Sequence, residues 1–409
     1  MKLFNLALAA CGLSVSVLGA AIPKTIDGVI QTDYDAIIIG GGPSGLSALS
    51  GLARVRRKVL LIDSGKYRNE QTRHLHDLIG FDGVTPAWYR YSARKMLENY
   101  DTIKMTNGTV TRVEAGSNNT YFTVMTELPG DKAKAMTARK VILATGLHDD
   151  LPDTPGLQEN FGKGIYWCPW CDGHEHADQE LGLLGPLKTV PGGVREILTL
   201  NKDIIAFVNG TDTPANREIT EKSSPQWETY LELNNVTVEN RIIKSIQRLK
   251  NGEAEDADPS LPSVPEHDLF RVNFDKGEPI ERNAFFASFN DSQASEVGPD
   301  MGVDLWGGRL AVDPTKGLVT NIPGVYAIGD ANSDNVTNIP HALFSGKRTA
   351  VFLHVQLGRE NEAAQLETYA KKHKGGKDEK RELHETARSL WAEVNGKPGD
   401  ALYAGEFDQ

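Results

Sequence analysis

The sequence predicts an α/β fold of two nested Rossmann-like dinucleotide-binding units, the first discontinuous and interrupted by the second. Three observations predict it. A buried, β-branched run from Tyr34 to Ile39 meets a glycine turn and a small-residue helix. A second apolar run, Leu181 to Gly185, opens a similar strand and turn near mid-chain, and Gly324 to Asp330 reads as a late strand ending in an acid.

Composition narrows the function classes. At roughly 150 residues per domain, 409 residues make about two to three domains. The 44 basic and 55 acidic residues leave a net charge of −11, with no basic face interleaved with aromatics, so nucleic acid is not an expected partner. A hydrophobic content of 39%, 40 glycines and a mean hydropathy of −0.37 describe a globular chain.

The N-terminus reads as a secretory signal peptide over residues 1–21. Met1-Lys2 supplies the positive region, Leu3 to Leu18 the apolar one, and Gly19-Ala20-Ala21 the small residues a signal peptidase needs. The run is short for a membrane span of ~20 residues, so no membrane association is expected after cleavage. Sequons at Asn107, Asn118, Asn209, Asn235, Asn290 and Asn335 agree with an N-glycosylated, extracellular protein.

Cleavage would also remove Cys11, leaving Cys168 and Cys171 in Trp167-Cys-Pro-Trp-Cys-Asp-Gly173. A bridge across two residues removes little chain entropy, so a mere staple is a weak reading. A metal site completed by His174 and His176 fits the usual ligand spacing badly, and no metal is expected. A redox-active dithiol is the favoured reading.

Element by element, Tyr34 to Ile39 is a parallel strand, Gly40-Gly41-Gly42-Pro43-Ser44-Gly45 the turn, and the helix runs to about Arg54. Gly40 turns the chain, Gly42 admits a pyrophosphate, and Gly45 lets helix and strand touch. A strand from Lys58 to Ile62 ends in Asp63, 23 residues past Gly40, where a carboxylate can hold ribose hydroxyls. Val141 to Gly146 is a later strand and turn, and Leu151 to Gly156 a proline-bearing linker. In the next unit a helix is expected from about Gly193 to Leu200 and a strand from Ile204 to Val208. Gly252 to Asp268, with six acids and three prolines, reads as an exposed loop. A helix from about Pro340 to Leu357 follows the late strand, and 358–409 reads as a charged tail in which Lys371 to Arg381 is solvated.

Taken in order, Gly40–Gly45, Ala144-Thr145-Gly146, Cys168-Pro-Trp-Cys171-Asp172-Gly173 and Gly324–Asp330 resemble the low-molecular-weight thioredoxin reductases over roughly residues 34–357. The resemblance implies an FAD-binding domain from 22–150 and 290–357, and an inserted NADPH-type domain, 151–289, that carries the cysteine pair. By position, Gly40, Gly42, Pro43, Ser44 and Gly45 would cradle the FAD pyrophosphate and Asp63 with Ser64 the adenosine ribose. Gly329 and Asp330 would meet the ribitol, and helix amides near His341-Ala342 would point at the flavin. Arg68, His76, Val110 and Ala144-Thr145-Gly146 would line the cofactor, with Asn69, His74 and Gly80 to Gly83 nearby.

The departure from the family is in the second turn. It reads Gly185-Pro186-Leu187-Lys188-Thr189-Val190-Pro191, with bulky residues where the backbone should approach a pyrophosphate, and no arginine follows Val208 until Arg217. The nicotinamide site looks eroded, and little NADPH would be met outside a cell. The chain is similar to a branch holding secreted fungal sulfhydryl oxidases and gliotoxin-type dithiol oxidases, with which it shares Cys-Pro-x-Cys-Asp-Gly and Pro340-His341-Ala342. That likeness implies oxidation of small thiols such as glutathione by dioxygen, yielding hydrogen peroxide, in a homodimer. A dithiol oxidase of a secondary metabolite, an NADPH-dependent reductase and a non-catalytic flavoprotein are the alternatives.

In the implied order a thiolate attacks Cys168, a second thiol releases disulfide, and Cys171 lies beside the flavin. A helix N-terminus at the pair would favour the thiolate. Asp172 and His341 are the candidate acid/bases, read equally as a turn carboxylate and a packing residue. His174 and His176 are expected at the surface or rim, and Trp167 and Trp170 either shield the disulfide, stack on substrate or are simply buried.

Overall fold

The computed structural model describes residues 22–130, 133–253, 263–373 and 385. The expected signal peptide, the centre of the acidic loop (254–262) and nearly all of 374–409 lie outside the described residues.

A seven-stranded sheet organises the first unit. Ile103–Asn107, Val59–Asp63, Tyr34–Ile39 and Lys134–Leu143 lie side by side in parallel. Lys134–Leu143 then forks: its first half pairs antiparallel with Phe122–Glu127, and its second half takes the late strand Val325–Ala327 in parallel. Ile37, Ile38, Leu61, Val141 and Ile142 are fully or almost fully buried, as parallel strands covered on both faces require. The helix Pro43–Arg54 covers one face, burying Leu46, Leu49 and Leu52 at about 1.5–3 kcal/mol each. It packs on the helix Ile339–Lys372, where a Cβ at Gly346 would strike the Ser44 carbonyl.

That last helix begins as expected, with Asn338 capping the His341 amide at 2.8 Å and Pro340 in the first turn. It ends fifteen residues later than Leu357. Residues 358–372 are therefore helix and not tail, because Glu360 pairs with Arg139 at 2.7 Å and with buried Lys140 on the central strand. Ala363 and Ala370 are buried along the same extension.

The second unit is a five-stranded parallel sheet in the order Ile165–Tyr166, Ala284–Ala287, Leu181–Leu184, Ile204–Phe207, Thr237–Glu239. Alternate side chains face different cores: Leu181 and Leu183 meet Val194, Ile197 and Trp227, whereas Leu184 and Phe207 meet Phe270, Val272 and Phe274 of a three-stranded antiparallel sheet. The helix expected from Gly193 instead spans Val190–Ile197, because Pro191 fits its first turn. The chain passes from the first unit to the second through Leu147–Asp150 and returns through Asn290–Gln293, and these two strands pair with each other. Among the described residues no helix is long and apolar enough to cross a membrane.

Candidate active site

A cavity of about 750 Å³, within the usual range for small-molecule sites, runs from the glycine turn to the cysteine pair. Gly40, Gly42, Pro43, Ser44, Asp63, Ser64, Val110, Ala144, Thr145, Gly146, Asp330 and Ala342 line it, as do Arg68, His76, Cys171 and Asp172. Residues up to 300 positions apart thus share one wall.

The glycines divide the work as their spacing predicts. Gly40 has φ +113°, and a Cβ there would strike the Ala144 carbonyl. A side chain at Gly45 would strike the Gly40 carbonyl, so Gly45 sits behind the turn and not in the cavity wall. Gly42 faces open space. It also begins a twelve-residue helix that no side chain caps, which leaves amides available to an anion. Gly329, with φ +65°, packs on Ser44 behind the same wall.

Charged groups mark the two ends. Asp63 is already engaged: Tyr67 and Arg94 donate to one oxygen and the Gly65 amide to the other at 3.1 Å. A carboxylate keeps further lone pairs for ribose hydroxyls. Arg68 spans Asp149 at 2.5 Å, Asp330 at 3.1 Å and Asp291 at 3.4 Å, and lies 5.4 Å from the Trp167 ring. Burial raises the Asp330 carboxyl even against the pull of Arg68. Asp149 and Asp291 carried no local sequence signal, since only the strand pairing brings them to Arg68.

Cys168 and Cys171 are disulfide-bonded, Cys168 preceding the short helix Pro169–Asp172. This helix is one turn long. It carries little macrodipole, so the expected help to a thiolate from a helix N-terminus is not available here. The chemistry close at hand is Asp172. It is buried, and burial, reinforced by the charges of Glu175 and Glu266, holds its carboxyl well above the usual carboxylate range. Trp170 is exposed, while Trp167 stacks on Phe161 at 5.3 Å.

Four expectations are corrected. His341 does not line the cavity: its Nε2 pairs with Asp334 at 2.7 Å, and its amide is taken by Asn338, so it does not aim at a ring in the cavity. Gly80 to Gly83 likewise stand off the wall. His174 is exposed, but His176 is fully buried, its Nδ1 on the Asp172 carbonyl at 2.9 Å. The acidic loop is exposed only in part, because Glu266 and Asp268 at its end are buried. Arg73 binds both carboxylates, and Arg248 reaches Asp268 at 2.6 Å. Although burial pushes Asp268 up, His176 and Arg73 hold it far below the ordinary range. His176, Glu266 and Asp268 lie close enough to resemble a metal triad, yet the two guanidinium groups already supply the cation.

The second glycine turn, 185–191, is braced by its own and neighbouring residues. Leu187 is fully buried in the core, its amide donating to Thr211 at 3.0 Å, and Thr189 bonds Pro186 at 2.9 Å. Arg217 is held by Asp212 and by Glu228 at 2.7 Å.

The large cavity itself suits a flavin dinucleotide. Thr72 Oγ1, Thr145 Oγ1 and Gln293 Oε1 are buried without protein hydrogen-bond partners, and all three residues line it. The turn at Gly42 leaves room for a pyrophosphate beside free helix amides.

Comparisons with known proteins agree with this architecture. The family model described as "Pyridine nucleotide-disulphide oxidoreductase" matches residues 34–193. The "Probable thioredoxin reductase" of Arthroderma benhamiae is 47% identical over 348 residues, covering 81% of this chain and 82% of its own. "Thioredoxin reductase tcpT" of Claviceps purpurea is 29% identical over 334 residues, 79% of this chain and 94% of that one. The crystal structure of an oxidoreductase from Agrobacterium tumefaciens superposes with a TM-score of 0.65 at 26% identity, over 79% of this chain and 98% of that one. Shared sequence over four-fifths of its length, two Rossmann-type sheets and Cys171 in the wall of the cavity that the glycine turn lines place one conclusion beyond the fold: the chain belongs to the pyridine nucleotide-disulphide oxidoreductase family, among its thioredoxin reductase-like members.

Proposed function

We propose that the protein is a flavin-dependent thiol oxidase acting on small thiols such as glutathione. Two thiols and one dioxygen give one disulfide and one hydrogen peroxide. The observation that carries this reading is the contrast between the two nucleotide sites: the turn at Gly40–Gly45 opens on a cavity shared with Cys171, whereas at the turn after Gly185 the Leu187 amide is taken by Thr211 and its side chain is packed into the core. Electrons that do not arrive from a nicotinamide must arrive from sulfur.

In this reading the Gly40–Gly45 turn, Asp63, Thr145 and Asp330 hold FAD, which supplies a two-electron acceptor that dioxygen reoxidises. The chain's own residues handle thiol and proton. A substrate thiolate attacks Cys168, its electron pair forming the new S–S bond, and the pair from the broken bond stays on Cys171. Asp172, held protonated by its buried position, gives that sulfur a proton. A second thiolate then attacks the mixed disulfide and leaves both cysteines reduced.

Secretion and glycosylation belong to the same proposal, supported by the exposure of all six sequon asparagines. A homodimer is its third part: Phe344, Val351, Phe352 and Val355 form an exposed apolar stripe on the last helix, of the kind a second copy covers.

An oxygen electrode tests the central claim. Purified holoenzyme with glutathione consumes oxygen and forms peroxide, and Cys168→Ser does not. Uptake that persists in the variant would sink the cysteine route; rapid anaerobic bleaching by NADPH would restore the reductase reading. Faster turnover of a dithiol that closes a ring than of glutathione would shift the substrate to secondary-metabolite dithiols.

A further inference from the structure

We propose that Glu175 and His76 form a proton relay that joins Asp172, beside the cysteine pair, to solvent at Asp82. The proposal rests on the dithiol chemistry above but not on the identity of the final oxidant. Its origin is a supply problem. Each cleavage of the Cys168–Cys171 bond calls for a proton at Cys171, and Asp172, which gives it up, is only 6% exposed and must be reprotonated before the next cleavage.

The next acid along the chain is Glu175, three residues on and also buried, on the single turn His174–His176 that follows the cysteine-bearing helix. Its charge is the first electrostatic influence on Asp172 after burial itself. Ser263 fixes it, donating to Oε1 at 2.5 Å. The same oxygen stands 3.5 Å from Nε2 of His76, a cavity-wall residue, and Nδ1 of His76 stands 3.5 Å from Asp82, whose side chain is 40% exposed. An imidazole with one carboxylate at each nitrogen can accept a proton on one side and release it on the other. Both contacts are longer than good hydrogen bonds, and catalytic contacts of this kind tighten when substrate binds.

The other charged groups nearby are committed elsewhere. Arg73 is bound to Glu266 and Asp268, His74 to Glu266 at 3.4 Å, and His176 to the Asp172 carbonyl. They set the local field, and His74→Ala is the variant that separates the Glu266 pairing from the one proposed.

The proton balance is closed. A substrate thiol enters as the thiolate, leaving its proton in solvent. Asp172 transfers a proton to the Cys171 sulfur, and Glu175, His76 and Asp82 return one from solvent to Asp172. No electrons move along the relay.

Anaerobic reduction of the holoenzyme disulfide by dithiothreitol, quenched in acid and read as alkylated cysteines by mass spectrometry, tests it. Rates are taken from about pH 5 to about pH 9, across the range in which histidine titrates. Glu175→Gln and His76→Ala are expected to slow reduction by ~10²-fold and to alter the pH profile. Added imidazole restores His76→Ala in proportion to its concentration, and the exposed neighbour variant His174→Ala behaves as wild type. An unchanged pH profile in Glu175→Gln and His76→Gln, or slow His76→Ala that ignores imidazole, overturns the relay. Since the readout is the cysteine pair, a wild type that consumes no oxygen would sink the oxidase reading and leave the relay standing.

Discussion

The backbone amide of Leu187 donates to the hydroxyl of Thr211 at 3.0 Å, tying the second glycine turn to the loop that follows the strand Ile204–Phe207. An amide spent in this way is not available to a pyrophosphate, and the fully buried Leu187 side chain belongs to the core of the second sheet. Leu187→Ala should therefore cost about 2–5 kcal/mol in urea unfolding, as for other buried leucines. It should not create NADPH binding. Saturable NADPH binding by wild type, measured by fluorescence, would contradict this reading of the turn.

Gly42 and Gly40 sit two residues apart but make opposite predictions. Gly42 has φ −71° and open space where a Cβ would go, whereas Gly40 has positive φ and the Ala144 carbonyl in the way. Gly42→Ala should fold with wild-type stability and bind FAD at least tenfold more weakly, ~1.4 kcal/mol. Gly40→Ala should lose stability as well. Flavin content after gel filtration, beside a thermal melt, separates the two; full flavin retention in Gly42→Ala would remove the pyrophosphate from this turn.

Asp172 predicts a pH dependence of stability. Burial and then Glu175 and Glu266 raise its folded value above the ordinary 3.8, so the folded state keeps a proton that the unfolded chain releases. Its stabilising contribution is complete below the unfolded value and is lost as pH rises towards the folded one, by about 1.4 kcal/mol per pH unit between them. Asp172→Asn should flatten that part of the stability curve while slowing thiol turnover by ~10²-fold. Parallel curves for variant and wild type would show that Asp172 is ionised in the folded state.

Glu360 anchors the extension of the last helix. Glu360→Gln leaves Arg139 and Lys140 short of their shared carboxylate and should cost about 3–5 kcal/mol, with flavin binding retained in what remains folded. A melting temperature within error of wild type would mean that the extension contributes nothing.

What the sequence alone determined was set by short-range physics. Tyr34–Ile39, the glycine turn and the helix to Arg54 were legible because strand periodicity, φ-permissive glycines and helix-forming residues act within a few positions. The same holds for the spacing of the cysteine pair. What only the tertiary structure decided depends on partners far along the chain. His176 is buried because Glu266 and Asp268 come to it from about 90 residues away, a contact that no local pattern around Gly173 encodes. The helix outruns Leu357 because Glu360 meets Arg139 and Lys140 more than 200 residues upstream. Backbone conformation is a nearest-neighbour property; burial of charge is settled only when the opposite charge arrives through the fold.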